Sequence, residues 1–216
     1  MTCGVGISPR SAATSAPAPL RTGRARARRR IFVAVPVAPT LRRAVVGLAP
    51  QWGEVGRSLR WVPPDNLHFT LKFLGEITSP QLAGVAAAAK DVAARAQGFR
   101  IALAGLGAFP SPRRPQVVWV GVTEGADRLI ALAADLEAAL HRLKFPKEVR
   151  PFRPHLTIAR VRRRGLALDL TGVLAPLGGF ALGAQEVTNL LVMESTLHPC
   201  GAIYRQVEEV GLGESR

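Results

Sequence analysis

His68-Phe69-Thr70-Leu71 and His155-Leu156-Thr157-Ile158 are two copies of one pattern: His, apolar, Thr, apolar. In a β-strand, residues two apart share a face and their neighbours take the other. Each copy therefore predicts a strand with imidazole and hydroxyl side by side on one face and two apolar anchors behind. A shuffled chain of this composition places two of its four histidines in this pattern about once in a thousand. Two such strands facing each other supply two proton-transfer groups and two hydroxyl donors, which is equipment for chemistry on a phosphate ester.

The segments around the copies alternate between strand and helix signals. Ile31 to Val37 reads as a buried strand and Thr40 to Leu48 as a helix. Leu59 to Val62 and Leu67 to Leu74 read as strands parted by the turn Pro63-Pro64-Asp65-Asn66. Ser79-Pro80 reads as a helix start, Ser as N-cap and Pro at N1, for an Ala-rich helix to about Ala96. Phe99 to Leu106 and Gln116 to Val122 read as strands around the Phe109-Pro110-Ser111-Pro112 loop. Leu129, Leu132, Leu136, Leu140 and Leu143 form one stripe of a helix over about Ala126 to Leu143, and the stripe reads as core. Strands are expected again at the second motif, at about Phe180–Leu182, at Val187–Glu194 and at Ala202–Val210. One motif lies in each half. The predicted fold is α+β: two similar lobes of mixed or antiparallel sheet plus helices around a central cleft.

The chain has 216 residues, 48% of them hydrophobic, enough for a large core. Its two cysteines, Cys3 and Cys200, build neither a disulfide framework nor a C-x-x-C pair, which fits a reducing cytoplasm. No apolar run approaches the ~20 residues needed to span a bilayer. The net charge is +14, and residues 1–30 carry half of it as seven arginines with no acid. That segment, rich in Ala, Arg, Ser and Pro, reads as a disordered basic extension ahead of a domain over 31–210, with a flexible C-terminus at 211–216. Competing readings of the extension are an upstream start, a transit peptide or an RNA-touching arm. The body is cationic without it, which favours a polyanionic partner such as nucleic acid.

The blocks around the two motifs are longer than the tetrapeptides. They run from Trp61-Val62-Pro63-Pro64-Asp65-Asn66-Leu67 through His68 to Leu74-Gly75-Glu76, and from Phe152-Arg153-Pro154 through His155 to Ala159-Arg160. With Phe109-Pro110, Val118-Trp119-Val120-Gly121 and the closing Leu191, Glu194-Ser195, Leu197, Gly201-Ala202 and Tyr204, they resemble the bacterial and archaeal RNA 2′,3′-cyclic phosphodiesterases. Those proteins, also called 2′-5′ RNA ligases, belong to the 2H phosphoesterase superfamily. The resemblance covers nearly all of residues 31–210 and implies a bilobal fold with both motif strands lining one cleft. It implies hydrolysis of RNA 2′,3′-cyclic phosphate ends to 2′-phosphomonoesters, with 2′-5′ ligation as reverse chemistry. It also implies that His68 is the proton donor and His155 the proton acceptor, with no cofactor and no metal.

Chemistry alone supports the pair but not the labels. Imidazole, with an ordinary pKa near 6.5, serves as acid or base at neutral pH, and near-symmetry leaves open which ring does which. Thr70 and Thr157 are expected to donate hydrogen bonds to non-bridging oxygens. Arg160 follows His155 by five residues, so it reaches the phosphate only where the strand bends or ends. Lys72 shares the alternating face with His68 and Thr70, and phosphate contact weighs equally there with plain solvation. Trp61, Phe109 and Trp119 could stack a base, although core packing suits them better. Arg113-Arg114, Arg150, Arg153 and Arg162 to Arg164 could form an RNA funnel. A metal site from His68, His155 and Cys200 lacks ligand spacing. Expected partners are cyclic-phosphate RNA ends such as tRNA fragments, met by a monomer away from membranes. The alternatives are a phosphodiesterase for small cyclic nucleotides or ADP-ribose cyclic phosphate, and a non-catalytic RNA-binding module.

Overall fold

The computed structural model describes residues 28–162, 168–198 and 201–213. In chain order its elements are β1 (Arg29–Pro36), α1 (Pro39–Leu48), α2 (Gly53–Arg57), β2 (Leu59–Trp61), β3 (His68–Ile77), α3 (Ser79–Arg95), β4 (Phe99–Phe109), β5 (Val117–Glu124), α4 (Ala126–Arg142), β6 (His155–Val161), α5 (Thr171–Leu174), β7 (Ala181–Val187), β8 (Asn189–His198) and β9 (Gly201–Gly211). The strands form two sheets, ordered β3-β1-β8-β9 and β2-β6-β5-β4-β7, and every ladder in them is antiparallel.

The two sheets repeat one plan. The motif strand β3 lies beside β1, then β8 and β9; the motif strand β6 lies beside β5, then β4 and β7. Only β2, added outside β6, breaks the correspondence. The lobes are therefore not the two halves of the sequence: the first sheet is closed by the last two strands of the chain. Helix α3 packs on β1, β8 and β9, and α4 packs on α3 and β3, while α1 crosses to β7 of the other sheet. Gln185 of β7 fastens that crossing, donating to the Pro36 carbonyl at 2.9 Å and accepting from the Ala38 N–H at 2.8 Å. A buried side-chain amide thus satisfies a backbone donor and acceptor of the opposite lobe.

Local chemistry accounts for most element limits, and corrects several expectations. Thr78, not Ser79, is the N-cap of α3, and it forms a capping box with Gln81. The start shifts because Thr78 is extended and offers the hydroxyl one residue earlier. Leu129, Leu132, Leu136 and Leu140 are buried as the stripe requires, but Leu143 is the C-cap of α4 and is exposed. Arg29 and Arg30, expected in the basic extension, open β1 opposite Ile77 and Glu76. At the other end β9 runs to Gly211, and Gly213 bridges Gln97, so the ordered chain passes the expected limit at 210. Residues 1–27 lie outside the described residues. Among the described residues no helix is long and apolar enough to cross a membrane.

Candidate active site in the cleft

Apolar alternation builds each motif strand as the pattern demands. Phe69 and Leu71 are buried on β3, and Leu156 and Ile158 on β6, while His68, Thr70, His155 and Thr157 are half-buried on the other face. The strands meet across the cleft. The charge of His155 is near enough to lower the pKa of His68.

Both rings are held in the same way. His68 Nδ1 lies 2.8 Å from the carbonyl of Asn66, and His155 Nδ1 lies 2.7 Å from the carbonyl of Arg153, two residues back in each case. A carbonyl only accepts, so each Nδ1 carries the proton and each Nε2 is left for chemistry. The Asn66 carbonyl is itself placed by the turn Pro64–Asn66, whose Asn66 amide donates to the Ala202 carbonyl of β9 at 2.9 Å. Burial is the largest influence on His68 and pushes its pKa below the ordinary 6.5. The charges of Arg160 and His155 push the same way, against the hydrogen bond to Asn66.

Aromatic rings back both histidines. Phe32, fully buried, sits 4.8 Å from the His68 ring, and Tyr204 meets His68 edge-on at 5.2 Å. Phe109 meets His155 edge-on at 5.1 Å, with Trp119 behind it at 5.2 Å. Phe109 and Trp119 therefore buttress a histidine rather than offering a free face to a base. Gly107 makes this possible, because a Cβ there would lie 2.2 Å from the Trp119 ring. Trp61 packs edge-on against Trp52 in the core.

A β-bulge decides the fate of Arg160. Along β6, His155, Leu156 and Thr157 pair with Gly121, Val120 and Trp119 in turn; Ile158 is then skipped, and Ala159 pairs with Val118 and Arg160 with Val117. The extra residue sends Ile158 and Ala159 both into the core and returns Arg160 to the face of His155 and Thr157. The strand does bend, and the field of Arg160 reaches His68.

The same device removes Lys72 from the site. On β3, Thr70 pairs with Ala34, Leu71 is skipped, and Lys72 pairs with Val33. Lys72 thus follows Leu71 into the interior, where its ammonium binds Glu137 of α4 at 2.8 Å and the Pro146 carbonyl at 2.9 Å. Lys72, weighed between phosphate contact and solvation, is instead buried on Glu137, because simple alternation fails at the bulge. Phe73 takes the cleft face instead, 53% exposed and 5.5 Å from Phe32.

Other sequence candidates are dispersed. Arg162 donates to the Leu59 carbonyl at 2.9 Å and so serves β2. Arg113, Arg114, Arg150 and Arg153 lie on loops, and all four are exposed. Arg163, Arg164 and Cys200 lie outside the described residues. His141 sits on α4 against the Phe145 carbonyl, away from both motifs. Among the described residues no three His, Cys, Asp or Glu side chains cluster as metal ligands. Reading the sequence missed Phe32, Phe73 and Arg60; the last stands beside Arg160 in the β2–β6 ladder, and only strand pairing reveals it.

Two sheets of matching order, each sending a His–Thr strand into one cleft, define a two-lobed phosphoesterase. The model of the LigT-like phosphoesterases matches the chain twice, over residues 33–119 and 120–204, and the chain belongs to that family. Each match holds one motif. The chain is 36% identical over 162 residues to an RNA 2′,3′-cyclic phosphodiesterase of Aeropyrum pernix, covering 75% of this chain and 91% of that protein. To one of Aquifex aeolicus it is 39% identical over 156 residues, 71% and 82% of the two chains. A crystal structure from Thermus thermophilus superposes with TM-score 0.73 at 28% identity, covering 87% of this chain and all of that one. Escherichia coli LigT complexed with 3′-AMP superposes with TM-score 0.70 at 26% identity over 86% and 98% of the chains.

Proposed function

We propose that this protein hydrolyses RNA 2′,3′-cyclic phosphate ends to 2′-phosphomonoesters. The observation that supports this reading is the matched tethering of His68 and His155, each with Nδ1 bound to a carbonyl two residues back and Nε2 left for proton transfer. A cyclic phosphodiester opens when water attacks phosphorus on one side and the ribose 3′-oxygen departs on the opposite side. Nε2 of His155 takes the water proton as the P–O bond forms. Nε2–H of His68 delivers a proton to the 3′-oxygen as its bond to phosphorus breaks. The donor and acceptor labels follow the family resemblance.

The low pKa of free His68 fits a donor that is charged by its substrate. Burial, helped by the positive field, holds the ring's pKa down; an anionic phosphate beside Arg160 offsets that field and so raises the pKa on binding. Thr70 and Thr157 hydroxyls, together with Arg160, hold the non-bridging oxygens where charge accumulates. Phe73 offers an exposed ring on the cleft face to a nucleobase. Both proton transfers are supplied by protein side chains, so the reaction proceeds without metal or cofactor. The cationic, monomeric protein would act in the cytoplasm on fragments such as those of tRNA, and reversal of the same step would join a cyclic end to a 5′-hydroxyl.

The test is incubation with a cyclic-phosphate RNA oligonucleotide in EDTA. The expected product is the 2′-phosphate, with kcat lowered about 10²- to 10⁴-fold in His68→Ala and His155→Ala. Retained turnover in either folded variant refutes the two-histidine mechanism. Binding without turnover by the wild type indicates a non-catalytic module.

A further inference from the structure

We propose that Arg60, beside Arg160, forms a second phosphate subsite, which takes the phosphodiester on the 5′ side of the reacting nucleoside and makes the enzyme prefer RNA chains over cyclic mononucleotides. The inference rests on the cyclic phosphodiesterase reading. Arg60 of β2 is the direct ladder partner of Arg160 of β6. Cross-strand partners share a face, with Cα atoms about 4.5 to 5.5 Å apart. Leu59, Trp61, Ala159 and Val161 turn toward the core, so Arg60 and Arg160 both project on the cleft side, and both are exposed.

Two like charges directly opposite one another destabilise a strand pair. Other arginines near the two lobes are neutralised or tied: Arg29 and Arg205 on Glu194, Arg42 on Asp65 and the Val37 carbonyl, Arg162 on the Leu59 carbonyl. Neither Arg60 nor Arg160 has a carboxylate partner among the described residues. Successive phosphates laid along the pair replace the repulsive contact with charge-assisted hydrogen bonds.

Position identifies which anion. Arg160 shares its face of β6 with His155 and Thr157, so it belongs to the reacting centre. Arg60 lies one strand farther out, on the edge strand of its sheet. A chain leaving the centre past Arg160 crosses Arg60 and then the sheet edge. The group it presents there is the next backbone phosphate, which a 2′,3′-cyclic mononucleoside lacks.

The experiment compares kcat/KM for a trinucleotide ending in a 2′,3′-cyclic phosphate with that for 2′,3′-cyclic AMP. In Arg60→Ala the ratio falls about tenfold, mainly through the trinucleotide KM. Arg60→Lys recovers part of it, and the salt slope of trinucleotide binding falls by about one unit in Arg60→Ala. An unchanged ratio overturns the subsite. Should the wild type turn over neither substrate, the activity reading fails on its own. The subsite is then judged by affinity for a 2′-phosphorylated trinucleotide, where equal binding by wild type and Arg60→Ala overturns it and a tenfold loss upholds it.

Discussion

At His68, three influences oppose one. Burial, Arg160 and His155 each disfavour the imidazolium, and the Asn66 carbonyl favours it. The balance favours the neutral ring in the free protein. A folded pKa below the unfolded value means that the native state binds fewer protons than the unfolded chain as pH falls below about 6.5. His68 thus withdraws stability on acidification through that window. By NMR titration, His68 should protonate below 6.5 in the free protein and shift upward when a 2′-nucleoside monophosphate binds. A ring that titrates at or above 6.5 in the free protein would overturn the lowered pKa that burial gives it. The two HxTx copies and the anchors behind them were legible in sequence, because strand periodicity alone orients four consecutive residues.

Within a single strand, periodicity holds only until the ladder slips. Residues 68–71 and 155–158 obey it, yet the first ladder slip after each motif reverses the facing of the residues that follow. Nothing in Thr70-Leu71-Lys72 or Thr157-Ile158-Ala159 marks the bulge; the partner strand's register does. The consequence is opposite in the two lobes: Arg160 enters the cleft and Lys72 leaves it. Lys72→Ala should therefore cost about 2 to 3 kcal/mol by urea unfolding, since Glu137 loses its buried cation. Its kcat/KM on cyclic-phosphate RNA should stay within about threefold of wild type, on the scale of an indirect effect. A large catalytic loss at unchanged stability would return Lys72 to the substrate.

Across the whole molecule, the cleft needs both ends of the chain. Glu194 of β8 binds Arg29 of β1 at 2.8 and 2.9 Å and Arg205 of β9 at 2.6 and 3.1 Å, which ties three strands of one sheet. Those guanidiniums hold the Glu194 carboxyl at about 2, below its ordinary 4.5. A depressed carboxylate stabilises the fold fully above its unfolded pKa, and that contribution is lost as pH falls from 4.5 toward 2. Glu194→Gln should cost about 1 to 2 kcal/mol at pH 7, a figure discounted for solvent around Arg205, and should flatten the acid limb of thermal stability. Truncation through Arg30 should reproduce that loss, whereas truncation through residue 27 should not. Equal melting temperatures for the two truncations would show that Arg29 contributes nothing to the first sheet.

Some of this was fixed by sequence because it depends on neighbours along the chain: the motif strands, the helical stripe, the α+β class and the pairing of two imidazoles with two hydroxyls. What depends on neighbours across space was decided only by folding. Strand order assigned β8 and β9 to the first lobe, ladder slips sorted Arg160 from Lys72, and the β2–β6 pairing set Arg60 beside Arg160. Side-chain direction in a strand is a local property with period two, but its phase relative to a cleft is set by hydrogen bonds to another strand, and one inserted residue inverts it.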